Sequence, residues 1–190
     1  MILKNVLIVK SLCLLLYILP GWKILDLMWE NPIHLRGTII KGRIQENNSY
    51  RQFMVVIDTK GEIKTLGADP HDVFLEDSVI ATIRTLFAAA SKEELMHGLE
   101  RLGLNRERVE LGRFSNMVCY VIGDTPGMQF WIQKDELLPI RVRTKNYDIT
   151  FKHYGKFENI IFPEIIGVEN NKKEQRLLHL DEISFLKTGN

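Results

Sequence analysis

The chain has 190 residues, 45% hydrophobic and 26% charged, with 25 Lys and Arg against 24 Asp and Glu. That is enough for one domain with a substantial core, and too apolar for a disordered polymer. A formal net charge of +1 supplies no global field for nucleic acid or an anionic membrane. No basic run interleaves with aromatics, so nucleic-acid binding is set aside. Two cysteines, Cys13 and Cys119, make neither a disulfide framework nor a zinc spacing. Cys119 reads as a small buried hydrophobe.

The chain starts "MILKNVLIVKSLCLLLYILPGW". Lys4 and Lys10 precede an apolar block from Ser11 to Leu19, the layout of a charged n-region and an h-region. The block is short for a membrane span, although Ile2 to Val9 would lengthen it if Lys10 snorkels. No A-x-A cleavage site follows. "LPGW" resembles a lipoprotein box in which Trp22 stands where an acylated cysteine would be, so no lipid can be attached there. The alternative is a buried N-terminal helix. The expected organisation is a signal-like or anchoring segment over 1–30 and one domain over 31–190.

A short helix is expected over Lys23 to Trp29, broken by Asn31-Pro32. "IHLRGTIIKGRI" and "YRQFMVVID" read as strands around the polar turn Glu46-Asn47-Asn48-Ser49, and "TKG" leads to a further hairpin strand in "EIKTLGA". The period then changes. Val79, Ile80, Ile83, Leu86, Phe87 and Ala90 fall at helical spacing, with Arg84 the only charge among them, so this helix must be buried on more than one side. "SKEELMHGLERLG" follows as an amphipathic helix with Ser91 and Glu94 as a capping box, Gly103 as its stop, and Leu95, Leu99 and Leu102 as its inner stripe. Strand signals return at "RVELGRF", "NMVCYVIGD" and "MQFWIQKD" and continue to "QRLLHLDEISFL", with turn clusters at Gly123–Gly127 and Asn170–Lys172. Eight to ten strands with one helical insertion point to an α+β fold with a large antiparallel sheet.

Chemistry is sparse. The histidines at 34, 71, 97, 153 and 179 are scattered, and no metalloprotease, nucleophile-elbow, Walker or dinucleotide motif occurs. The chain is expected to be non-catalytic and to need no cofactor. "ADPHDVFLEDS" gathers Asp69, His71, Asp72, Glu76 and Asp77. Turn formation and a helix N-terminus account for that cluster better than a metal does. Arg141, Arg143 and Lys145 share one strand face and read as the wet side of a half-buried sheet.

The apolar face is the informative feature. Ile140 and Val142 point one way, as do Ile149 and Phe151 in the next strand, while Phe130 and Ile132 alternate with Trp131 and Gln133. Either Ile161 or Phe162 joins them, the register across Pro163 being open. Ile80, Ile83 and Phe87 of the apolar helix are their expected cover. Most of these residues serve as ordinary core. A curved sheet around such a helix also leaves room for an apolar ligand, and a dry void above ~300 Å³ would suit one, whereas close packing would favour a scaffold.

Three stretches carry a family resemblance: "ENPIHLRGTIIKGRI", "EELMHGLERLGLNRERVELGRFSNMVCYVIGD" and "MQFWIQKDELLPIRVR…YDITFKHYGKFENIIFPEII". In the last, a strand with an acidic turn precedes "LP" and a basic-alternating strand, followed by Gly155 and Phe162-Pro163. Together they resemble the outer-membrane lipoprotein carrier superfamily, the LolA/LolB-like periplasmic proteins, over roughly Pro32 to Leu186. The resemblance implies a large curved antiparallel sheet, an unclosed half-barrel, with helices covering its concave face. It further implies an envelope protein that binds lipid or lipoprotein acyl chains. The cavity candidates are Ile80, Ile83, Phe87, Phe130, Ile132, Ile140, Val142, Ile149, Phe151 and Phe162. Periplasmic or membrane-anchored placement, membrane contact through the N-terminus and envelope protein partners belong to the same expectation. The alternative is an assembly or stress-sensing scaffold that uses the half-barrel for protein contact.

Overall fold

The computed structural model describes residues 19–31, 33–46, 49–66, 77–125 and 127–186. The export-like block, all but Leu19, and the acidic cluster, all but Asp77, therefore lie outside the described residues. Ten strands form one antiparallel sheet: β1 (Thr38–Glu46), β2 (Ser49–Ile57), β3 (Ile63–Leu66), β4 (Val109–Phe114), β5 (Met117–Gly123), β6 (Gln129–Gln133), β7 (Pro139–Arg143), β8 (Tyr147–Phe157), β9 (Ile160–Asn170) and β10 (Gln175–Phe185). Their order, β3-β2-β1-β10-β9-β8-β7-β6-β5-β4, joins two meanders through the β1–β10 ladder and leaves β3 and β4 as open edges. The sheet is an unclosed half-barrel, as the family resemblance implied.

Three helices complete the described chain: α1 (Gly21–Trp29), α2 (Asp77–Phe87) and α3 (Lys92–Arg101). None is long and apolar enough to cross a membrane. α1 begins behind Pro20, whose extended φ of −62° and ψ of 149° suit the residue before a first helical turn. It buries Ile24, Leu25 and Met28 in the same core as the strands, so residues 21–29 pack with the sheet. The segment "IHLRG" is irregular instead of extended. Gly37 turns at φ +70° and Leu35 N–H donates to Phe87 C=O at 2.7 Å, so β1 starts only at Thr38. α3 is capped by Ser91, whose Oγ accepts from Glu94 N–H at 3.2 Å. The Glu94 carboxylate turns to Ala90 N–H at 2.6 Å, so the expected capping box is shifted by one residue. Gly103, at φ +92°, ends the helix as expected.

Along the strands the inward row contains Ile40, Ile44, Phe53, Val55, Ile57, Phe130, Ile132, Val142, Ile149, Phe151, Ile166 and Leu178, all buried. Charged pairs such as Lys41–Glu182 and Arg43–Asp181 occupy the outer side. Pro163 interrupts this regularity. It has no N–H to donate, and the β9–β10 ladder ends at Ile165↔His179, before reaching it. On its other side His153 takes φ +53°, and the β8 register resumes with Tyr154↔Pro163. This resolves the open register: Phe162 is buried in the core and Ile161 packs only partly against it.

At Gly21 an added Cβ would run into the carbonyl oxygen of Arg106 and the Ile122 side chain. α1 can therefore approach β5 only without a side chain there. Gly21→Ala should lower the urea midpoint, by about 1–3 kcal/mol of stability, the usual cost of overpacking. An unchanged midpoint would mean that α1 is not seated this closely.

Candidate functional site

α2 lies over the concave face with its two ends in different surroundings. At its C-terminal end Phe87 is fully buried and meets Phe151 and Phe162 edge-on, with ring centroids 5.2 and 4.8 Å apart. Such geometry sets the positive ring edge against the negative face and adds to simple burial. One and two turns before it, Ile83 and Ile80 face a cavity of about 30 Å³. Its lining comes from β1 (Ile40), β2 (Phe53, Val55), β9 (Phe162, Ile166) and β10 (Leu178, Leu180), and among the described residues Thr65 is its only polar one. A space of that size holds about one water, and its apolar wall gives a water no partners. It is far below the ~300 Å³ expected of a ligand-ready void. The interior is close-packed in this conformation.

Of the ten candidate residues, Ile80, Ile83 and Phe162 line the cavity. Phe87, Phe130, Ile132, Val142, Ile149 and Phe151 belong to the continuous core around it. Ile140 is buried but stands apart from that core, beside the irregularity where β6 and β7 shift register between Trp131 and Ile132. The cavity draws more on β1, β2 and β10 than the sequence pattern suggested. Ile40, Phe53, Val55, Leu178 and Leu180 were recognisable as apolar strand positions, but nothing local shows that β1 pairs with β10.

Arg36 was also missed. Its Nε donates to Ala88 C=O at 2.7 Å, one terminal nitrogen pairs with Glu94 at 2.8 Å, and the other reaches Thr59 C=O at 3.4 Å. The guanidinium thus ties the residues after α2 to α3 and to the β2–β3 turn, satisfying carbonyls that the helix end leaves open. Asp26 of α1 pairs with Lys92 of α3 at 2.7 Å, so all three helices are linked at this end. Nearby, the His34 ring packs against Trp29 at a 52° tilt with centroids 4.1 Å apart, and its Nδ1 is buried without a hydrogen-bond partner among the described residues. Burial lowers the His34 pKa below its ordinary value, partly opposed by a backbone hydrogen bond with Trp29.

Arg141, expected on a simple wet face, has a fuller role. It forms a two-pronged ion pair with Asp148 and lies over the rings of Phe114 and Trp131, at 5.3 and 5.6 Å from their centroids. It thereby covers a small aromatic cluster on the outer side of the sheet. Among the described residues no three His, Cys, Asp or Glu gather to hold a metal ion.

No family model matches the chain, and no curated protein matches it. Solved structures do. One is a LolA superfamily protein from Nitrosomonas europaea, with 10% identity and a TM-score of 0.53 over 88% of this chain and 94% of that one. Another is a putative outer membrane lipoprotein-sorting protein domain from Vibrio parahaemolyticus, with 11% identity and a TM-score of 0.52 over 90% and 94%. The fold is LolA-like. Within that LolA-like frame, Arg36 and Phe87 hold one end of the cover, and Ile80 and Ile83 meet the sheet among apolar side chains around the cavity.

Arg36→Ala should cost about 1–3 kcal/mol, the range for leaving buried hydrogen-bonding groups unsatisfied, and should speed amide exchange in α2 more than in β5–β8. Uniform exchange rates would contradict the latch. His34 has a folded-state pKa below that of the unfolded chain, so the unfolded chain takes up the proton first as pH falls. Its contribution is intact above about 6.5 and is lost as pH drops from there toward the folded value. Between pH 7 and 5 the stability of His34→Gln should therefore fall less steeply than that of the parent, as read from urea midpoints.

Proposed function

We propose that this protein is a non-catalytic carrier or chaperone of the bacterial cell envelope that takes an acyl chain of a lipid or lipoprotein between its sheet and α2. The observation that carries this reading is the apolar cavity roofed by Ile80 and Ile83, two turns and one turn before the Phe87 anchor. The LolA-like fold supports it, as does the apolar segment before residue 19 with its Lys4 and Lys10, which would direct the chain to export or hold it at a membrane.

A cavity of about 30 Å³ cannot accept a chain as it stands. Entry requires Ile80 and Ile83 to move off the sheet, with Phe87 as the pivot. The acyl chain then replaces the aliphatic contacts that the helix gives up. Each methylene removed from water contributes about 0.8 kcal/mol, so roughly six offset the exposure of two isoleucine side chains. Ordering of the chain reduces the net gain. No reactive side chain is needed for such work.

A protein-binding scaffold is the second reading, and the small volume of the cavity favours it. Purification of the full chain from bacterial membranes, followed by solvent extraction and mass spectrometry, separates the two. The carrier reading expects co-purified acyl chains and saturable binding of a fluorescent fatty-acid probe. Absence of both, together with a stable protein crosslink, would replace it with the scaffold. Ile83→Trp, which fills the space under the roof, should weaken the probe at least about tenfold, or 1.4 kcal/mol, with the far-UV spectrum retained.

A further inference from the structure

α1 crosses the concave side of the sheet from one end to the other. Its first residue, Gly21, packs against Ile122 and the Arg106 carbonyl, while Asn31, just past its last turn, donates to the carbonyls of Glu136 and Leu137 between β6 and β7. The chain that precedes α1 therefore leaves the domain at the Ile122 end. Of the described chain only Leu19 and Pro20 stand before Gly21, and the sequence ahead of them is the apolar block with Lys4 and Lys10. Trp22, in the first turn of α1, is 48% exposed, and helical side chains lean toward the helix N-terminus, here toward this end. The same end can be followed across the sheet through the paired row Gly123, Gln129, Arg143, Asp148, Glu169 and Gln175. Just beyond that row lie the β7–β8 turn with Lys145 and the β9–β10 turn with Lys172 and Lys173. Asn171 N–H donates to Asn146 C=O at 3.0 Å and joins the two turns. Each is also braced from within: Thr144 Oγ1 accepts from the Asn146 and Tyr147 N–H groups, and Asn170 Oδ1 from those of Lys172 and Glu174. All three lysines are exposed, and among the described residues none forms an ion pair. Glu174, the only carboxylate on these turns, accepts from Asn170 Nδ2 at 2.8 Å.

We propose that this end of the half-barrel is a docking surface for an anionic phospholipid bilayer, with Lys145, Lys172 and Lys173 over the head groups and Trp22 at the interface. The assignment rests on the reading above in which the segment before residue 19 holds the protein at a membrane. That tether sets the orientation. Gly21 is wedged too tightly for a Cβ, so α1 does not swing, and Leu19 with Pro20 spans only about 7 Å. Gly123, beside the start of α1, and Asp148, beside the β7–β8 turn, are three strand spacings apart, about 14 Å, so an anchor at residue 19 brings the lysines down with it. The overall charge of +1 draws the chain to no surface, but three lysines against one carboxylate on adjoining turns make a local attraction. Each lysine brought within a Debye length of an anionic leaflet favours contact about fivefold. Tryptophan suits the boundary between hydrocarbon and water. The opposite end of the sheet also carries three exposed lysines, Lys60, Lys134 and Lys156, but each has a carboxylate close in sequence, at Glu62, Asp135 and Glu158, and the chain before α1 does not leave there.

The test uses the full chain in lipid nanodiscs of phosphatidylcholine, alone or mixed with phosphatidylglycerol. Co-elution with the discs shows first whether the chain is held in them. Exposed amines are then acetylated by a water-soluble ester and read lysine by lysine by mass spectrometry. In the anionic discs Lys145, Lys172 and Lys173 should react about fivefold more slowly than in the neutral ones, and high salt should restore their rates. Lys60, Lys134 and Lys156 should react alike in both. The Trp22 share of the emission, taken as the parent minus Trp22→Phe, should be quenched by lipids brominated close to the head group. Equal rates for the three turn lysines in the two kinds of disc, slower reaction at the opposite end, or an unquenched Trp22 overturns the docking surface and leaves the anchor in place. A chain that enters neither kind of disc overturns the anchor as well.

Discussion

A wide sheet with an apolar concave face and two unpaired edges cannot bury that face by itself. Everything else in the molecule follows from the need to cover it. Closure into a barrel would solve the problem by pairing β3 with β4, but the strand order leaves both as edges. Three short helices do the covering instead, and α2 carries the largest share through Val79, Ile83, Leu86 and Phe87. Because Phe87 is set between the rings of Phe151 and Phe162, its end of α2 is fixed by shape, while Ile80 and Ile83 meet the apolar side chains around the cavity. Such apolar contact is non-directional.

The two sides of the sheet divide the polar work in different ways. On the outer side, charges are paired across neighbouring strands, and Arg141 with Asp148 shields Phe114 and Trp131 from water. On the inner side, charged groups stand at the limits of the described strands: Arg36 at the helix-linked end, and Arg51, Glu46 and Arg176 at the other. The result is an apolar interior with arginines at both limits.

Alternation and helical spacing were enough to read most of this architecture. The strand faces of Phe130–Ile132, Val142, Ile149 and Phe151, the apolar character of α2 and the cap at Ser91 all stand where their local patterns put them. The missing parts depend on contacts between distant segments. "HLRG" reads as strand by composition, yet Arg36 leaves the ladder because its guanidinium finds carbonyls on α2 and the β2–β3 turn. Pro163 hid the register of β9, since the compensating turn at His153 lies in another strand. The cavity itself was placed too far toward β6–β8, because nothing local announces that β1 and β10 are neighbours.

That same β1–β10 ladder sets the order in which the molecule can be assembled. It is the seam between an N-terminal meander of three strands and a C-terminal meander of seven, and its two strands come from opposite ends of the domain. Local hairpins can form as the chain emerges, but the second edge of β1 has no partner strand until β10 is made. Contacts of such long sequence separation slow folding, because the entropy of closing the loop is spent before the pairing repays it. During that interval one edge of β1 and the inward row of β2 lie open to any binder of extended apolar chain, which makes the newly made protein itself a client for a holding factor.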